Sequence, residues 1–301
     1  MTRDNQQEGI RREGRMLDYF RPLDHSRMME ALNLLCQRYS FLSVSYVGES
    51  IMGRGIPLVT LGEGERTILY VGAHGGREWL GSILLLRMIN ECCEVLRSDG
   101  RLLSYNLRYL FSSRSLCVVP MLNPDGVEYS LHGVERDHVL YDRLLSMNGG
   151  EDFSQWDANG RGVTLSRNYG AGFFEQKKKE REEGIVGGGP RGFGGEMAES
   201  EPEVAQLCNW LRYREDVSLT LSLEAGRLGV CGEEKKRGLA LSRELGCPMG
   251  FSERGSMTAW CAEALRIPSF TLRYGEEQGE RESFFLYARL RRALFLGLTL
   301  L

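Results

Sequence analysis

The chain has 301 residues, 42% of them apolar, with a formal net charge of −3 and an isoelectric point near 6.0. That length suits one large α/β domain or two small ones with a sizeable core, and the lack of an overall basic footprint argues against a nucleic-acid partner. No run of about 18 apolar residues occurs, and the polar Met1–Glu8 start lacks the apolar core of a secretory signal. A cytoplasmic protein without membrane contact is expected.

Residues 1–24 read as a polar lead. Helical spacing of Met28, Met29, Leu32, Leu35 and Cys36 predicts a helix over Ser26–Tyr39. Three strands follow, Leu42–Val47, Pro57–Leu61 and Thr67–Val71, separated by glycine-rich punctuation that predicts an antiparallel start to a sheet. The third strand breaks at Gly72-Ala-His-Gly-Gly76, and a helix apolar on nearly every side runs Trp79–Leu96, as expected of one packed between two layers. Leu116–Leu122 is a further strand, ending in the turn signal Asn123-Pro-Asp-Gly126. From about 127 to 199 Tyr, Arg, Asn and Gly dominate, and so long a connection is expected to line a site or carry short elements of its own. Its charge run Lys177–Glu183 reads as a solvated helical turn with Glu/Lys pairs.

Regular elements then resume. Glu201–Tyr213 is predicted helical with Pro202 in its first turn, Val217–Leu223 is an alternating strand, Glu233–Leu245 and Met257–Leu265 are helices, and Pro268–Tyr274 is a strand. An amphipathic helix over Ser283–Leu301 carries Arg289, Arg291 and Arg292, which rule out a membrane span. The alternation predicts a single α/β domain over 25–301, a mixed twisted β-sheet with helices on both faces. The eight cysteines form no Cys-x-x-Cys pair and read as reduced core thiols; the four histidines are His25, His74, His132 and His138.

Seven landmarks stand in a particular order: Ile51–Leu58, Gly72-Ala-His-Gly-Gly-Arg-Glu-Trp79, Asn123–Gly126, Trp156-Asp-Ala-Asn-Gly-Arg-Gly-Val163, Ser166-Arg-Asn168, Ser200–Glu203 and Ile267–Thr271. Together they resemble the zinc carboxypeptidases over about residues 26–300, and the long middle is most similar to the bacterial branch acting on γ-D-glutamyl-diamino acid links of peptidoglycan stem peptides. The resemblance implies zinc on three protein ligands, a water that the metal acidifies, a glutamate base and an arginine that clamps the substrate carboxylate.

Position by position, that pattern is broken where the chemistry lies. The first ligand histidine of His-x-Arg-Glu-Trp is Gly75; Glu78 matches the second ligand; Glu224 stands for the third, also normally histidine; Arg273 stands for the base. Arginine cannot be deprotonated in a protein and accepts no proton. Thr164 and Ser166 replace an expected Asp and Asn, Asp157 follows Trp156 where a basic residue is usual, and Ala259 precedes Trp260 where an acid is usual. Arg167, Arg77 and Asn168 match substrate-side positions. The expectation is a carboxypeptidase fold without hydrolysis and with zinc absent or weak, binding a peptide or stem-peptide carboxylate. Its alternatives are an active peptidase with a His74/Glu78/Glu224 zinc site and a scaffold with an idle pocket. His74 is expected either to swing to the metal or to bond backbone in the turn, and Arg273 to take the metal's place by bonding Glu78, Glu224 or both.

Overall fold

A computed structural model describes residues 21–98, 100–275 and 282–300. The polar lead through 20 and the last residue of the predicted C-terminal helix lie outside them. Of that lead, Leu23 is buried and Asp24 caps the first helix, accepting from the Arg27 N–H at 2.8 Å, so the fold begins before 25.

The elements in chain order are α1 (His25–Arg38), β1 (Ser43–Glu49), β2 (Gly55–Leu61), β3 (Arg66–Gly72), α2 (Trp79–Arg97), a two-stranded hairpin β4 (Arg101–Leu102) and β5 (Tyr105–Asn106), α3 (Leu107–Ser113), β6 (Arg114–Val119), α4 (Pro124–His132), α5 (Tyr141–Asn148), a 3-10 turn (Leu165–Arg167), α6 (Phe173–Glu182), α7 (Pro202–Arg212), β7 (Val217–Glu224), β8 (Gly226–Gly232), α8 (Lys235–Leu245), β9 (Met249–Gly250), α9 (Met257–Ala264), β10 (Ser269–Gly275) and α10 (Glu282–Gly297). None of the described helices is long and apolar enough to cross a membrane.

One eight-stranded mixed sheet runs in the order β1-β2-β6-β3-β7-β10-β8-β9. Its middle, β6-β3-β7-β10, is parallel; β1 and β2 pair antiparallel with their neighbours, and β8 pairs antiparallel with β10 but parallel with β9. The antiparallel start is present between β1 and β2, but β2 pairs with β6 rather than β3. Strand alternation splits the sheet into two faces. Ile68, Tyr70, Leu116, Val118, Leu221, Leu223, Phe270 and Leu272 face α2, α8 and α10 in one core. Leu69, Val71, Cys117 and Val119 face a second core with α7 and α9.

Three predicted details change. Asn123-Pro-Asp-Gly126 starts α4 rather than making a turn: Asn123 Oδ1 accepts from the Gly126 N–H at 3.0 Å and Pro124 takes the first helical position. β8 escapes the sequence pattern because Gly226, Gly229 and Gly232 depress its strand propensity. Those glycines admit side chains of the adjacent β10: a Cβ on Gly232 would run into Phe270, and one on Gly226 would come 3.2 Å from Arg273 Cδ. The charge run is not merely solvated. In α6, Glu180 is fully buried, pairs with Lys177 and accepts the Gly194 N–H at 2.9 Å, while Lys177 bonds Gly195 O at 3.0 Å and sits over the Phe193 ring. This pair pins the glycine-rich stretch to the domain.

Candidate active site

The site forms at the C-terminal ends of β3, β7 and β10, where the direction of strand addition reverses and open α/β sheets place ligands. β3 leaves the sheet through Ala73, a non-glycine residue in the left-handed region at φ 49°. The turn is fixed from the next parallel strand: Leu122 N–H bonds Gly72 O, Asn123 N–H bonds Ala73 O, and the Asn123 amide bonds His74 O at 3.0 Å.

His74 is turned into the protein. Its Nε2 lies 2.9 Å from the Tyr169 hydroxyl and its Nδ1 lies 3.4 Å from Ser222 Oγ, so the ring bonds side chains rather than backbone. Burial pushes its pKa down to about 3, which keeps the ring neutral. The next position, Gly75, faces Asp157. An ideal Cβ at 75 would overlap Asp157 Oδ1 and sit 2.9 Å from its Cγ. The carboxylate that departs from the basic residue usual after Trp156 therefore fills the volume where the first ligand's side chain would begin.

Glu78 is the N-cap residue of α2, but its side chain makes no capping bond to that helix. Its Oε2 accepts from the Gly75 N–H and its Oε1 from the Ala225 N–H, each at 2.9 Å. Burial raises its pKa well above the ordinary carboxylate value; the charges of Asp157 and Glu224 add to the rise and the two backbone N–H groups oppose it. Burial also raises Asp157, against Arg77, Arg191 and Arg167. Glu224 is raised to about 7, chiefly by burial, with the Ser222 hydroxyl at 2.9 Å and the Arg273 charge pulling the other way.

Arg273 lies opposite Glu224 in the parallel β7–β10 register, so the two side chains share a face. Its guanidinium does not bond Glu78 or Glu224, as the sequence led us to expect. Nη2 forms an ion pair with Glu253, in the loop before α9. The physical reason is desolvation: Glu253 stands at the mouth with 55% of its side chain exposed, whereas Glu78 already accepts two backbone N–H groups in the interior.

The substrate-side residues divide. Arg167 keeps 23% of its side chain exposed, donating to Gly192 O at 3.0 Å and lying 3.6 Å from Glu183. The amide N–H of Arg77 reaches Asp157 Oδ1 at 3.5 Å. Asn168 is fully buried; its amide nitrogen donates to Gly194 O, Met197 O and Ser200 Oγ, and its Oδ1 accepts from the Glu201 N–H. Asn168 thus ties the long middle segment together instead of facing a ligand.

The landmarks outside the site meet in a polar network. Buried Asp125 of α4 accepts from Ser50 Oγ at 2.8 Å, the Met52 N–H at 3.0 Å and Arg54 Nη1 at 2.6 Å. Asn159 donates to Glu201 at 2.8 Å and Glu203 at 3.3 Å, and its Oδ1 accepts from the Arg161 and Val163 N–H groups. Four of the seven ordered motifs are joined through these bonds, which hold the loops around the sheet's C-terminal edge.

A zinc carboxypeptidase family model matches residues 28–231. The chain belongs to the zinc carboxypeptidase family. The γ-D-glutamyl-L-diamino acid endopeptidase 1 of Lysinibacillus sphaericus is 25% identical over 262 residues, covering 84% of this chain and 65% of its own length. This chain thus spans less than two thirds of that curated relative. Among solved folds, thrombin-activatable fibrinolysis inhibitor superposes with a TM-score of 0.70 at 13% identity, covering 93% of this chain and 74% of that one. The murein-tripeptide amidase MpaA of Escherichia coli O157 gives 0.53 at 19% identity, covering 83% of this chain and 91% of that one.

The family's metal is zinc, and the residues present do not fit it. Position 75 has no side chain and its space is taken by Asp157, His74 is turned to Tyr169 and Ser222, and both Glu78 oxygens hold backbone N–H groups. Among the described residues, no three His, Cys, Asp or Glu side chains are placed to hold a metal ion. Sequence reasoning found Glu78, Glu224, Arg167 and Arg273 by motif. It flagged Asp157 only as a departure and missed Tyr169, Ser222 and Glu253, whose roles come from contacts through space.

Proposed function

We propose that this zinc carboxypeptidase-family protein binds the carboxylate end of a peptide of the peptidoglycan stem-peptide class and does not hydrolyse it. The observation that carries this reading is the Asp157 carboxylate seated against Gly75, where a metal ligand would start. Arg273 at the base position supports it, since a guanidinium takes no proton from water. Arg167, partly exposed beside Gly192, is the clamp for the ligand's carboxylate. The ligand class follows the relative named for γ-D-glutamyl-L-diamino acid links and the fold neighbour named for murein tripeptide. Eight unpaired cysteines support a reducing, cytoplasmic setting.

Calorimetric titration with γ-D-glutamyl-L-lysine, followed by chromatography of the mixture, tests this. Binding that weakens at least about tenfold in Arg167→Ala, the weight of one lost two-pronged contact, with the dipeptide recovered intact, is the expected result. Zinc-dependent cleavage, or binding indifferent to Arg167, would overturn it. One observation favours hydrolysis as a second reading: Glu224, raised to about 7, is able to exchange a proton near neutrality. Cleavage abolished by Glu224→Gln would decide for it.

A further inference from the structure

We propose that Arg273 is a second carboxylate anchor, and that Glu253 occupies it as a stand-in until a ligand carrying two carboxylates displaces it. The inference rests on the reading of this site as one that binds an acidic peptide through Arg167.

Arg273 rises from the C-terminal end of β10, and its stem passes Gly226, where any side chain would crowd Cδ. That path carries the guanidinium to the mouth, where 25% of the side chain is exposed. The loop that carries its partner is held in place by backbone bonds on both sides of Glu253. The Gly255 N–H bonds Ala171 O at 2.6 Å, the Tyr169 N–H bonds Gly255 O at 2.9 Å, and the Ser252 N–H bonds Glu233 Oε1 at 3.1 Å. The first two bonds zip the Glu253 loop to the segment just after Arg167, and the third ties it to the turn before α8. Burial pushes the Glu253 carboxyl up, but the Arg273 hydrogen bond and the charges of Arg273, Arg167 and Lys179 outweigh it and hold the group below its usual value. A protein carboxylate is thus seated among three cations beside a proposed carboxylate site.

The chemistry of exchange follows. Glu253 meets Arg273 through one nitrogen and one oxygen, whereas a guanidinium fork accommodates a two-pronged carboxylate. A half-exposed ion pair contributes only about 0–1 kcal/mol, so a ligand carboxylate making the fuller contact displaces it at small cost. Arg167 and Arg273 together call for two carboxylates on one ligand. A γ-linked glutamyl dipeptide has both, because the γ-linkage leaves the α-carboxylate of glutamate free beside the C-terminal one.

The test is titration of γ-D-glutamyl-L-lysine, and of the same dipeptide with the glutamyl α-carboxylate amidated, into wild type, Glu253→Gln, Arg273→Gln, the double variant and Arg167→Ala. Glu253→Gln is expected to bind the diacid about two- to fivefold tighter than wild type, because the internal competitor is gone. That gain should vanish for the amidated dipeptide and in the double variant. An unchanged or weaker affinity in Glu253→Gln, or a gain that the amide shares, would overturn the proposal. If wild type binds and Arg167→Ala does not, while Glu253→Gln gives no gain, the binding reading stands and this inference falls. No binding by any variant overturns both. Thermal melts of each variant show whether a loss reflects folding, and the tighter binding expected of Glu253→Gln cannot arise from misfolding.

Discussion

Substituting Gly75 with alanine perturbs the structure at the point where the family's chemistry would begin. The added methyl has no room: it overlaps Asp157 Oδ1 and lies 2.9 Å from Asp157 Cγ, in a buried turn fixed by the Asn123 bond to His74 O. Overpacking of this kind costs about 1–3 kcal/mol. Gly75 is not among the residues with positive φ, so alanine also gains about 0.4–1 kcal/mol by restricting the unfolded chain. The net expectation is a loss of about 1–2 kcal/mol. In an Asp157→Ala background the clash is gone and the same substitution should be neutral or slightly stabilising, a coupling of about 1–3 kcal/mol between residues in contact. Urea unfolding of the four proteins, with midpoints compared at equal slope, measures it. If Gly75→Ala costs the same with and without Asp157, the carboxylate does not fill that space and the reasoning fails.

Two further substitutions test the structure away from the metal positions. Glu203 is raised from 4.5 to about 7, chiefly by burial, with Asp125 and Glu201 adding to the rise. The folded state therefore holds this proton more tightly than the unfolded one. The stability it contributes is full below about pH 4.5 and lost as pH rises through about 7, roughly 3 kcal/mol in all. Chemical unfolding at pH 5 and pH 8 should show wild type losing most of that margin relative to Glu203→Gln, and a pH-independent gap would refute it. Replacing Lys177 by methionine strands the buried Glu180 charge, and should destabilise by about 3 kcal/mol and speed proteolysis within 184–195; unchanged stability would show that the pair does not pin that stretch.

Much of the fold was legible because the central strands carry strong patterns, Thr67–Val71 a nearly continuous apolar run and Val217–Leu223 an alternation of apolar and hydroxyl residues. Thr67–Val71 and Val217–Leu223 are buried on both faces between helices, and such strands announce themselves by composition. β8 did not, because its glycines serve side chains on another strand, and the short β4–β5 hairpin carries too few residues to show a period. At the site, Glu78, Glu224 and Arg273 could be placed by motif, since each stands at a strand end or helix start that the pattern fixes. What Gly75 faces, and what Arg273 bonds, could not: Asp157 is 82 positions from Gly75 and Glu253 is 20 from Arg273, and no local rule links them. The charge run misled for the same reason, its buried pair being made by a loop that folds back over α6.

Whether Glu78 still belongs to a metal site is the question most directly open to measurement. Zinc content by elemental analysis, on protein purified without chelators and then offered zinc, with Glu78→Ala as control, is the measurement. No zinc that depends on Glu78 is the expected result. Near-stoichiometric zinc in wild type that disappears in Glu78→Ala would contradict the account, and would mean that Asp157 moves aside to let a metal in.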